Sequence, residues 1–144
     1  MQAELRAALV DDLDLLIRLH DRELDNATLA ALKAADFPGG LALAPADAMA
    51  IQAYANLSAA LAGLSEVPAA GVIDDLAADY AAIYLNNRLG ASPYESVWLD
   101  DDHLACQRPM FELREIYAAA GFKAADWRSR FDDHLVLQLH YLRH

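Results

Sequence analysis

The sequence predicts an all-α protein, a helical bundle, from three observations. Apolar residues recur at three- and four-residue steps along most of the chain, no segment alternates apolar and polar residues over the length of a strand, and clusters of proline and glycine punctuate the periodic stretches. With 144 residues, 56% of them hydrophobic and 23% charged, the chain is sized for a single domain, residues 1–144, with a real core.

The first helix runs through "AELRAALVDDLDLLIRLHDREL", where Leu5, Leu9, Leu13, Leu16, Ile17 and Leu24 follow the period of one helix face. Asn26 and Thr28 carry the capping chemistry for a short second helix, "LAALKAA". The segment "DFPGG" stops it, because proline disfavours helical geometry in the residue before it and the glycines favour a turn. A third helix is expected between Pro45 and Leu64, with Pro45 at its first position and Gly63 near its end. A fourth opens near Pro68 and carries Ile73, Leu76, Tyr80, Ile83 and Tyr84 on one face until "NNRLGASP" breaks it. "QRPMFELREIYAAAG" forms the next, with Gly121 as its C-terminal stop. A last helix begins near "DDHLVLQLHYLRH", with Asp133 as its N-cap.

Composition excludes several functions. No apolar run reaches the roughly 18–20 residues of a membrane span, and acids stand where a signal peptide would carry its apolar block, so a soluble cytoplasmic protein is expected. The single cysteine, Cys106, excludes an intrachain disulfide and a cysteine-rich metal site. Twenty-two acids against eleven Lys and Arg give a net charge of −11, which repels nucleic acid and favours a basic partner. Phosphate loops, nucleophile elbows and HExxH pairs are absent, so neither an enzyme nor a bound cofactor is expected. His140 and His144 are four apart on one helix face, but two ligands make half a metal site, and no metal is expected.

The stretch "GASPYESVWLDDD", residues 90–102, interrupts the helical pattern with a proline, two aromatics and three acids. Pro93 sets an extended path for Tyr94 and Trp98, whose rings offer apolar walls with polar tips. The same aromatics, with Val97, also read as cover for the end of a helical core. The acids Asp100–Asp102 and His103 read as a solvated loop leading into a helix start.

Three segments in order, "DYAAIYLNN", "SPYESVWLD" and "LREIYAAAGF" followed by "FDDHLVLQLHYL", resemble the TorD, DmsD and NarJ group of redox-enzyme maturation chaperones. The match is closest to the TorD and DmsD branches and covers Asp79–Leu142. Asp132 stands where that family typically has proline, a change expected to loosen a hinge near residues 131–135, and Tyr94 stands where DmsD-type members often have tryptophan. The resemblance implies a TorD-like bundle whose C-terminal helices are missing here or supplied by a partner, since members continue beyond the Asp-His segment. It implies binding of the twin-arginine leader of a molybdenum-containing oxidoreductase subunit before export. Pro93, Tyr94, Ser96, Trp98, Gly121, Asp133 and His134 are then the peptide-binding candidates. Homodimers formed by domain swapping through the hinge belong to the same expectation, with the Leu135, Leu139 and Leu142 face of the last helix as the surface needing cover. A nucleotide-binding or hydrolysing helical protein and a non-catalytic helical assembly module are the alternatives.

Overall fold

The computed structural model describes residues 1–125 and 128–144. Among these, seven α-helices and no strand bear out the all-α reading. The chain divides into two compact units, one of Met1–Asp12 with Arg22–Ala78 and one of Leu13–Asp21 with Asp79–His144.

Helix α1 (Gln2–Asp21) supplies residues to both units. In the first unit, α2 (Asn26–Ala34) buries Leu29 and Leu32 on one side. Its N-cap is Asp25, whose carboxylate accepts from Thr28 N at 2.7 Å; the expected capping residue, Asn26, is the first helical residue instead. The turn after α2 needs glycine at Gly40, where an added Cβ would sit 2.1 Å from the Ala35 carbonyl oxygen. Asp12, although nearly fully buried, is satisfied by accepting from Ala42 N and Leu43 N at 3.1 and 2.7 Å. Helix α3 (Ala48–Gly63) starts later than Pro45 because Asp47 accepts from Ala50 N at 2.8 Å, a cap that proline has no side chain to offer. Helix α4 (Ala70–Tyr80) likewise begins two residues beyond the buried Pro68 and widens into a π turn at Ala81–Leu85.

The second unit contains α5 (Ser96–Leu99), α6 (Arg108–Ala119) and α7 (Leu135–Arg143). Its core is built on Ile17, Ala82, Met110, Tyr117, Ala124 and Val136. Tyr117 packs against Phe122 and Tyr141 with ring centroids 5.0 and 4.8 Å away. Gly121 ends α6 as expected. Its φ of 73° lets Gly121 N donate to the Ala118 carbonyl and Phe122 N to the Tyr117 carbonyl, the paired bonds of a Schellman motif. The Phe122 contact with Tyr117 is the apolar contact that accompanies that motif.

Three local expectations change here. The acids Asp100–Asp102 do not lead directly into a helix, since α6 opens only at Arg108. The cap of α7 is His134, whose Nδ1 accepts from Val136 N at 3.1 Å; Asp133 lies one residue too early and serves a different helix. On α7 itself, Val136 is fully buried, Leu135 and Leu139 are half-buried, and only Leu142 of the expected stripe is exposed.

Candidate functional site

Proline at position 93 has no N–H to pair, but its carbonyl accepts from Leu135 N at 2.8 Å, while Glu95 N donates to the Asp133 carbonyl at 3.1 Å. These bonds flank an isolated antiparallel bridge between Tyr94 and His134. Immediately afterwards the chain turns into α5, contrary to the expectation of a continuously extended path. The turn is built by Asp133, whose Oδ2 accepts from Ser96 N at 2.8 Å. Ser96 passes the constraint on, because its Oγ accepts from Gln107 N at 3.1 Å just before α6. The irregular segment is thus tied to the beginning of both following helices.

Of the seven candidate residues, Pro93, Tyr94, Ser96, Asp133 and His134 come together in this pairing. Tyr94 lies 4.9 Å edge-to-face from the His134 ring and 5.7 Å from Phe131. Burial raises the Tyr94 hydroxyl above its usual acidity range, with Arg130 opposing and Asp133 reinforcing the shift. Ser96 and Asp133 expose no surface, and Asp133 Oδ1 has no hydrogen-bond donor among the described residues. Trp98 stands at the edge, 59% exposed, with Nε1 donating to the Ser92 carbonyl at 2.9 Å. Gly121 lies elsewhere. It lines a cavity of about 470 Å³ together with the Arg114 and Asp132 side chains, Phe122 and Lys123.

The hinge-like segment is more constrained than the replacement of proline by Asp132 suggests. Asp132, 3% exposed, accepts from Arg114 Nε at 2.7 Å, and its carbonyl accepts from the Tyr117 hydroxyl at 3.1 Å. Side-chain bonds to α6 take the place of the fixed proline torsion. Arg130 continues the pattern, pairing with Asp21 at 2.5 Å. Tyr80 and Tyr84, read from the sequence as a core face, also anchor α1, through Tyr80 donating to the Asp21 carbonyl at 2.8 Å and Tyr84 bonding His20 Nδ1.

Burial pushes His134 down to about 4 from its ordinary value near 6.5, with Arg130 adding to the shift, Asp21 opposing it and His20 adding again. The cap to Val136 needs an unprotonated Nδ1, so the geometry asks for the same neutral form. Because the folded value lies below the unfolded one, the unfolded state binds more protons between pH 6.5 and about 4. Stability should therefore be full above pH 6.5 and fall as pH drops through that window. Burial lowers His20 in the same direction, so part of the loss belongs to it. Urea midpoints followed from pH 7 to pH 4 test this: His134→Asn, which can still cap α7, should flatten the decline, and an unchanged decline would assign it to other groups.

Sequence reasoning passed over Glu95 and Gln138. Gln138 Nε2 donates both to Glu95 Oε2 at 3.0 Å and to the Asp133 carbonyl at 3.1 Å. Glu95 stood inside the singled-out stretch, between two candidates, and Gln138 lies one turn past the α7 cap. Only their contact was hidden.

An aromatic turn locked onto an Asp-His helix start, with only helices among the described residues, defines a helical protein with a surface built on buried hydrogen bonds. Residues 45–144 match the family described as nitrate reductase delta subunit, and the chain belongs to that family. It is similar to the chaperone protein TorD of Vibrio cholerae serotype O1, from three strains, at 37% identity over 71 residues. That stretch is 49% of this chain and 32% of each relative, so the match spans about a third of the relatives' length. No solved structure matches the chain. No helix among the described residues is long and apolar enough to cross a membrane.

Proposed function

We propose that the chain is a cytoplasmic chaperone, without catalysis or cofactor, that binds the twin-arginine leader of a molybdenum-containing oxidoreductase subunit and holds it while the subunit matures before export. Family membership and the chaperone relatives support the class. The observation that carries the leader reading is Trp98, an exposed indole on a turn that buried hydrogen bonds hold in place. A leader presents two guanidinium groups beside an apolar stretch, and an indole face can take either, stacking on the cation or covering the apolar side. A net charge of −11 draws such a peptide in. Tyr94 and Trp98 offer the surface, while Ser96 and Asp133, being buried, act by positioning the turn.

Titration calorimetry with a synthetic leader tests the proposal. A peptide with both arginines should bind more tightly than its double-lysine counterpart, and raised salt should weaken the binding. Trp98→Ala should reduce affinity by about 1–3 kcal/mol, the scale of a lost aromatic anchor. Equal binding of both peptides, insensitive to salt, would remove the basis for the proposal.

A further inference from the structure

Among the described residues no Lys or Arg forms an ion pair with the Glu95 carboxylate. Glu95 precedes α5, yet its side chain caps no N–H of that helix and reaches instead to Gln138 on α7. The neutral amide of Gln138 serves Glu95 Oε2 and the Asp133 carbonyl together. Behind this arrangement Asp133 is fully buried, with Oδ2 on Ser96 N and Oδ1 lacking any donor among the described residues. Among those residues no Lys or Arg forms an ion pair with Glu95 or Asp133. Burial raises the Glu95 carboxyl first, Asp133 and Glu112 add to the rise, and the Gln138 bond opposes it. The Glu95 carboxylate, bonded to a neutral amide, and the buried Asp133 carboxylate, bonded to a backbone N–H, have no paired cation among the described residues, and negative charge in that state favours an incoming cation.

The cation is specified by what stands beside Glu95. Trp98 lies three residues on within the same helical turn, its N–H donating to the Glu95 carbonyl at 2.9 Å, so the two side chains lie on neighbouring parts of one face. A planar guanidinium can pair with the carboxylate and stack on an exposed indole at once; an ammonium group lacks the plane. We infer that Glu95 receives a guanidinium group of the bound leader, with Asp133 as a positioning residue beneath it, an assignment that rests on the leader-binding reading above.

The test compares the native protein with Glu95→Gln, each titrated with the double-arginine and double-lysine leader peptides. Gln keeps an acceptor for Gln138 but removes the charge. The variant should lose on the order of tenfold in affinity for the arginine peptide and far less for the lysine peptide, so the preference collapses. If the native protein shows no preference, the leader-binding reading itself fails. If the native protein prefers arginine and Glu95→Gln keeps that preference in full, the Glu95 assignment is overturned. Should circular dichroism show the variant unfolded, carbodiimide labelling of the native protein decides instead: the bound arginine peptide should protect Glu95, and undiminished labelling would overturn the assignment.

Discussion

Tyr117→Ala is expected to destabilise the protein by about 3–5 kcal/mol, the range for emptying a buried aromatic position. Tyr117 is 2% exposed, touches both Phe122 and Tyr141, and donates its hydroxyl to the Asp132 carbonyl at 3.1 Å. Truncation therefore removes the centre of the aromatic cluster, the apolar contact of the α6 stop, and one tie to the segment that carries Asp133. Tyr117→Phe separates these effects, since it keeps the ring and should cost only about 1 kcal/mol for the hydroxyl bond. Urea unfolding of both variants by circular dichroism gives the comparison. A Tyr117→Ala midpoint close to the native one would show that the cluster collapses around the gap.

Arg114→Met should cost about 3 kcal/mol, the low end for removing one partner of a buried ion pair, because Arg114 is itself partly exposed. The cost arises at Asp132, which accepts from Arg114 Nε at 2.7 Å and would keep its charge in a site with 5% of its side chain exposed. Adding Asp132→Asn to Arg114→Met should recover much of the loss, since the second change removes the stranded charge. A double-mutant cycle from chemical denaturation measures the coupling. Additive losses would mean that the pair contributes nothing as a pair.

Much of the fold was legible because its signals are local. The apolar period of α1 and the glycine stop at Gly121 each depend on residues within a turn or two of one another. Boundaries slipped where two local signals competed. At α3 the Asp47 cap prevailed over the Pro45 signal, and at α7 the His134 imidazole took the place given to Asp133. Histidine is an uncommon cap, and burial, which lowers the His134 imidazole, favours the neutral ring that its bond to Val136 N needs.

By itself the sequence determined the helical class, the family resemblance and the stretch that bears the candidate site, because periodicity, turn chemistry and ordered motifs all lie along the chain. Tertiary structure decided which groups of that stretch are surface and which are scaffold. Asp133 reaches Ser96 across 37 residues, Arg114 reaches Asp132 across 18, and Gln138 reaches Glu95 across 43. No spacing rule encodes such meetings. They follow from how the helices pack, and packing buried Asp133 while leaving Trp98 exposed and Glu95 half-exposed, with no ion pair to it among the described residues. A carboxylate's role depends on its solvation and its partners, which arise only when distant segments close around it.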